Sequence, residues 1–245
     1  MHYKQIKKAL KNGKHVICES PVALSGEECD ELYEIAGKSG LILMDAIKTA
    51  YSTAYARMLL LIESGAIGKV VSVDATCTSL RVNENGDPDY YKTNWNSSCD
   101  WGPNAILPVF QLLGTKYKDI RIISSFADED KDYDLFSKFD FTYDSAVATV
   151  KVGKGVKSEG ELVVSGTKGY VYVPAPWWKT DYFEIRYENP ADKKRYFYQL
   201  NGEGIRYEIV AFIKAIESGR VIDMIPREVS RAICEVVSSK NRVEI

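Results

Sequence analysis

A chain of 245 residues, 45% of them hydrophobic, is long enough to bury a sizeable core and to form one large domain or two small ones. Its net charge of -2, with acidic and basic residues interspersed and no basic stripe, argues against a nucleic-acid or membrane-surface partner and leaves small molecules open. The five cysteines are odd in number and lack C-x-x-C spacing, which reads as reduced thiols in a cytoplasmic protein. With only His2 and His15 to draw on, no histidine-rich metal site is expected. The longest apolar run, "MLLLIE", is too short to span a bilayer, no secretory signal precedes it, and the sequon at Asn96 reads as idle.

From "YKQIKKALKNG" to "AYARMLLLIESG" short apolar runs alternate with helical periodicity, the pattern of parallel strands joined by crossover helices. Strands are expected at His15 to Cys18 and Leu41 to Asp45. Between them Ser25 and Glu28 form an S-x-x-E capping box, Cys29, Leu32, Tyr33 and Ala36 recur on one face, and Gly40 stands where a C-terminal cap belongs. Beyond Gly68 the chain turns β-rich, with strands expected in "KVVSVDATCT", "DIRIISSFA", "SAVATVKV", "EGELVVSG", "GYVYV", "YFEIRYE" and "RYFYQL". So many strands without intervening helices imply one mainly antiparallel sheet. A helix around "NAILPVFQLLG" interrupts them, with a kink expected at Pro108. Two more helices, "IRYEIVAFIKAIESG" and "PREVSRAICEVVSSK", close the chain, and the stripe Ile205, Ile209, Phe212 and Ile216 reads as core.

These residues resemble a known family. "HYKQIKKALKNGKHVICESPVALSGEECDELYEIAGKSGLILMDAIKTAY" is similar to the middle of the glucose-fructose oxidoreductase and inositol dehydrogenase (Gfo/Idh/MocA) family, where a "GKHV" strand ends in Glu-Lys-Pro. "IESGAIGKVVSVDAT", "DWGPN", "SGTKGYVYV" and "GEGIRYEIVAFIKAIESG" follow in the family's order, so the likeness covers essentially the whole chain. The resemblance implies an α/β remnant of a Rossmann domain over 1–67, the second half of a dinucleotide-binding domain. An α+β domain with a large, mainly antiparallel open sheet follows over 68–245, serving substrate binding and oligomerisation. It also implies NAD or NADP as cofactor and a sugar or polyol as substrate.

Two departures set this chain apart from the family pattern. The fingerprint G-x-G-x-x-G, which holds the pyrophosphate, does not occur, because the chain begins about where the family's fourth strand is about to form. Gly153 and Gly155 lie in a strand-rich stretch with no helix after them and are no substitute. The chemistry is altered as well. Ser20 in "CESP" stands at the family's catalytic lysine, and a hydroxyl carries no charge at neutral pH. In "DWGPN", Asp100 and Gly102 are kept while Asn104 stands where the family has His or Tyr, and an amide cannot act as general acid or base.

Each candidate has a structural alternative. Glu19 and Pro21 either border the cofactor, as the resemblance implies, or simply end a strand in a tight turn. Asp100 is a substrate ligand or an N-terminal cap. Lys48, after the next strand at the carboxyl edge where open α/β sheets place ligands, supplies an amine near Ser20 or is an ordinary solvated lysine. Tyr51 and Tyr55 line the same cleft or pack. Trp177 and Trp178, read as exposed aromatics in a proline-rich loop, suit a sugar face or a subunit interface.

A strand His15 to Cys18 without its neighbours is an exposed edge, so the expected assembly is a homo-oligomer, most simply a dimer through the C-terminal sheet, or a complex with a separately encoded Rossmann half. Three readings stay open: an oxidoreductase completed by another polypeptide, a catalytically silent binder of a small polar ligand acting as regulator or scaffold, and the product of a decaying gene.

Overall fold

The computed structural model describes residues 2–81, 90–127, 129–220 and 224–245. The first part of the chain builds a small parallel unit. Helix α1 (His2–Lys11) buries Ile6 and Leu10, one turn apart, and leads into strand β1 (Val16–Glu19). Helix α2 (Gly26–Lys38) crosses over to β2 (Leu43–Ala46), which pairs parallel with β1, placing Cys18 opposite Asp45 and Glu19 opposite Ala46. Ser25 Oγ accepts from the Glu28 amide at 3.1 Å, so the predicted cap holds, although the Glu28 carboxylate returns to the Leu24 amide at 3.4 Å. Gly40 adopts φ +63°, the left-handed turn that stops the helix. Ile6, Leu10, Val22, Cys29, Leu32, Ala36 and Leu43 form a compact core that Cys234 of the last helix completes.

A 3-10 turn (Lys48–Tyr51) and helix α3 (Thr53–Glu63) follow, and their Ile47, Tyr55, Met58 and Ile62 merge with the core of the sheet beyond. That sheet has nine strands: β3 (Val70–Thr78), β4 (Asp119–Phe126), β5 (Asp134–Thr142), β6 (Val147–Gly153), β7 (Leu162–Gly166), β8 (Tyr170–Val173), β9 (Tyr182–Arg186), β10 (Lys194–Phe197) and β11 (Val243–Glu244). Their order is β10-β9-β8-β7-β3-β6-β5-β4-β11, antiparallel except at β3–β6 and β4–β11. β3 is central because Val73, Ala75 and Cys77 alternate onto the buried face, where Ala75 pairs with Val150 on one side and Leu162 on the other. Strand β5, "DLFSKFDFT", was not expected. Phe139 and Phe141 alternate as a strand requires, but buried Asp134 and Ser137 obscure the pattern.

After the short helix α4 (Tyr90–Thr93), helix α5 (Ser97–Leu113) lies across this sheet and runs as one element through Pro103 and Pro108. Its cap is Asn96, whose side chain accepts from the Cys99 amide at 2.9 Å; Asp100 is not the cap. Helix α7 (Arg227–Val237) packs on α5 with one face and on α2 with another, joining the two cores. A buried ion pair fastens the segment after it: Arg242 meets Asp134 at 3.3 Å and also donates to Ser98 Oγ and to the Val237 carbonyl, both at 2.9 Å.

Helix α6 (Ile205–Ser218) corrects the sequence reading. Ile205 and Ile209 are 45% and 46% exposed, and Val210, Ile213 and Ile216 are exposed beside them, while Glu208 and Ala215 are buried. The stripe is therefore split: Phe212 is partly buried against the core, while Ile205, Ile209 and Ile216 face outward. The helix packs on the 3-10 turn at 48–51 through its opposite side, and nothing among the described residues covers the isoleucines.

Candidate functional site

The carboxyl ends of β1 and β2 lie side by side and set the site's floor. Ser20, directly after β1 and joined to Pro21 by a cis peptide bond, donates its hydroxyl to Asp45 Oδ2 at 3.4 Å. The 3-10 turn after β2 then reaches to both neighbouring segments. Thr49 Oγ1 lies 3.2 Å from Asn104 Oδ1 and 2.9 Å from the Trp178 carbonyl, so one buried hydroxyl ties α5 to the loop before β9. Trp178 packs on Trp101 with ring centroids 4.8 Å apart.

Lys48 is engaged in an ion pair. Its Nζ stands 3.4 Å from Glu203, which Lys179 also pairs, and is half-buried. The start of α6 presses on the same residue: Gly204, at φ +90°, lies so close that a Cβ would stand 3.4 Å from the Lys48 carbonyl. One turn on, Glu208 is 5% exposed, and its Oε2 has no hydrogen-bond partner among the described residues. Burial, with Glu19 and Asp45 adding repulsion against the attraction of Lys48, pushes its carboxyl up to about 7. Asp45 is 1% exposed and pushed up to about 6 by burial, with Ser230 and Ser20 opposing the rise; Glu19 is raised by burial as well.

Several predicted residues thus converge. Ser20, Lys48, Asn104 and Trp178 share one edge, and Glu19 ends the strand beneath it. Others do not join them. Trp177, expected to be exposed, is fully buried, with Nε1 donating to the Thr76 carbonyl at 3.1 Å. Tyr55 is core, 6.3 Å from the Trp177 ring and donating to Gln111 at 2.7 Å. Tyr51 turns beneath β2 and donates to the Asp45 carbonyl at 3.2 Å. Asp100 is engaged by the buried Lys154 ammonium at 3.1 Å. The Pro21 carbonyl is 2.9 Å from His2 Nδ1. Sequence reasoning missed Thr49, Asp45 and Glu208 as site residues. For the two acids the signal was available, since each interrupts an apolar run, in "LILMDAI" and "IRYEIVAF".

A dinucleotide pyrophosphate needs free backbone N–H groups at a helix N-terminus after a glycine turn. The helix that follows β1 does not offer them. Ser25 takes the Glu28 amide, and the Glu235 carboxylate occupies the space over Gly26, where a Cβ would collide with it. The Glu235 carboxylate, paired with Arg231 at 2.9 Å, already sits at this terminus, so this helix start does not fit a pyrophosphate. Among the described residues no group of three or more His, Cys, Asp or Glu is arranged to hold a metal ion, and no helix is long and apolar enough to cross a membrane.

A small parallel β-α unit is thus followed by a helix lying on a large open sheet, and comparison with known proteins finds the same two-part fold. Residues 1–46 match the profile described as "Oxidoreductase family, NAD-binding Rossmann fold". An uncharacterized oxidoreductase of Schizosaccharomyces pombe is 37% identical over 75 residues, 31% of this chain and 20% of that protein. The inositol 2-dehydrogenase/D-chiro-inositol 3-dehydrogenase of Lactiplantibacillus plantarum is 34% identical over 124 residues, 50% of this chain and 34% of that protein. Among solved structures, the 3-ketoreductase KijD10 from Actinomadura kijaniata, in complex with NADP and TDP-benzene, superposes with a TM-score of 0.85 at 18% identity, covering 100% of this chain and 76% of that one. The first 46 residues thus match the Gfo/Idh/MocA oxidoreductase profile, and the rest of the chain shares its fold with solved structures of oxidoreductases. The chain's matches span only 20% and 34% of the two curated relatives.

Proposed function

We propose that this chain is a sugar- or polyol-type member of its family that keeps the ligand cleft but does not transfer hydride by itself. The observation that carries this reading is the state of the two positions where the family places its proton handlers. Ser20 spends its hydroxyl on Asp45, and Asn104 is held by Thr49; neither side chain titrates in the useful range. The carboxylate over Gly26 supports it from a second direction, because nucleotide phosphates then have to be held by another βαβ unit. In this reading a nicotinamide nucleotide would supply hydride chemistry once that unit is present, while these residues shape the polyol side of the cleft.

Catalysis in a complex with a separately encoded Rossmann half is the first form of the proposal. A silent binder of a small polar ligand, acting as scaffold or regulator, is the second, and Ser20 and Asn104 favour it. Self-association through the open face of the nine-stranded sheet belongs to both. There Tyr170 and Tyr172 lie under Arg186, which stands 4.4 Å from the Tyr172 ring centroid.

Calorimetric titration with NADH and NADPH tests the reading. No binding by the chain alone is expected, and tight binding overturns it. Combining Ser20→Lys and Asn104→His with a Rossmann half in trans then separates the two forms. Activity of the unsubstituted chain in that mixture favours the catalytic form; activity of the double variant alone favours the silent one.

A further inference from the structure

Beside β2 lies a cavity of about 220 Å³ that the proposed function does not use, although it shares Asp45 with the cleft. Tyr33 and Gly37 of α2, Leu43, Met44 and Asp45 of β2, and Tyr51 contribute to its wall. The wall is mostly apolar, yet it holds a carboxylate that is 1% exposed. Asp45 Oδ1 has no hydrogen-bond partner among the described residues, and Oδ2 takes the Ser20 hydroxyl at 3.4 Å. Among the described residues no cation pairs with it. The guanidinium of Arg227, also at the cavity, is bound to Asp30 at 2.6 Å. The tyrosine hydroxyls are engaged too, Tyr33 with Ser230 at 3.2 Å and Tyr51 with the Asp45 carbonyl.

A buried carboxylate without a cation is costly, and a structure tolerates it when something else completes the charge. The cavity has roughly the volume of seven waters, enough for a cation of a few heavy atoms. Aromatic rings beside a buried anion suit an organic ammonium: the carboxylate accepts its N–H groups, the rings attract its charge and the aliphatic wall takes its carbon body. We propose that this cavity binds a small primary alkylammonium ion, with Asp45 as the charged acceptor and Tyr33, Tyr51, Leu43 and Met44 enclosing the alkyl group.

The groups that face Asp45 from its surroundings set how such binding varies with pH. They are Glu19 and Cys18 from β1, Tyr33 and Cys29 from α2, Tyr51 from the 3-10 turn, Glu208 from α6, and Ser230, Arg227 and Cys234 from α7. Glu19 and Glu208, when ionised, add negative potential and favour a cation, while the Arg227 guanidinium opposes it and is offset by its pairing with Asp30. Protonation of Asp45 at about pH 6 removes the acceptor charge. Ser20 connects the cavity to the cleft, since a ligand that keeps Asp45 ionised also keeps the Ser20 hydroxyl turned toward it.

The test uses the full chain with isobutylamine, protonated throughout the range, and isobutanol as its uncharged match, followed by the Met44 methyl signal in NMR titrations. At pH 7.5 the amine is expected to bind at least about tenfold more tightly than the alcohol, the equivalent of one charge-assisted contact, with the preference fading below about pH 6. Asp45→Asn should remove the preference. Gly37→Leu, on the helical wall where a Cβ meets open space, should fill the cavity and block both ligands with Asp45 intact. Equal affinity for amine and alcohol, absence of any Met44 response to the amine, or an amine preference that survives either substitution overturns the proposal. If Asp45→Asn does not fold, Gly37→Leu alone decides. The outcome is independent of nucleotide binding, so it neither rescues nor sinks the functional reading above.

Discussion

The hydroxyl of Ser20 points at the carboxylate of Asp45, 3.4 Å away across the ends of two parallel strands. A hydrogen bond of this kind favours the ionised carboxylate and opposes the rise that burial imposes on it. Ser20→Ala should therefore move the Asp45 titration upward from about 6, read by carbon NMR of its carboxyl group. An unchanged midpoint would mean that the hydroxyl faces elsewhere in solution.

The buried acids give stability a pH dependence of definite sign. Glu208 titrates near 7 in the folded chain against 4.5 ordinarily, so folding favours its protonated form. Its contribution is fully present below about pH 4.5 and is lost as pH rises to about 7, by up to roughly 3 kcal/mol. Glu208→Gln should match the wild type in denaturant midpoint at pH 4 and exceed it at pH 8. Parallel curves for the two proteins would contradict this.

Trp177 and Trp178 are neighbours in sequence but not in energetics. Trp177 is fully buried and hydrogen-bonded to the Thr76 carbonyl, so Trp177→Ala should cost about 3–5 kcal/mol in chemical denaturation. Trp178, half-buried against Trp101, should cost distinctly less when truncated. Equal losses would place both in the core.

The Arg242–Asp134 pair is buried on both sides, 8% and 0% exposed. Removing one partner strands the other charge, so Arg242→Met should destabilise by about 3–5 kcal/mol. The surface pair of Lys240 with Asp132, 2.6 Å apart, should yield less than about 1 kcal/mol under Lys240→Ala. Urea melts of the two variants make the comparison.

Asn96, not Asp100, caps α5. Asn96→Ala should lose about 1 kcal/mol, the usual worth of a side-chain cap. Asp100→Asn should act instead through Lys154, whose buried ammonium would keep the Trp95 carbonyl at 2.7 Å as acceptor but lose its counter-charge. A salt-dependent stability difference in Asp100→Asn, absent in Asn96→Ala, would separate the two roles.

Much of the fold was decided by local pattern. Period and punctuation fix the crossover around α2, with Ser25 and Gly40 at its ends, and the alternation along β3, because these depend on neighbours a few residues away. The positions of Ser20 and Asn104 were legible too, since the motifs around them are short and continuous. What local pattern could not decide is which face meets what. The isoleucines of α6 have the period of a core helix, but only packing reveals that the opposite side, with Glu208, meets the rest of the fold. Trp177 and Trp178 share a loop and separate by burial alone. The site itself is assembled from residues far apart in sequence: Ser20 with Asp45, Lys48 with Glu203, and Thr49 with Asn104 and Trp178. Sequence supplied the chemical identity of each group. Tertiary structure decided which groups lost water and which found partners, and burial and pairing are what turned Asp45 and Glu208 from ordinary acids into the most perturbed carboxyls around the cleft.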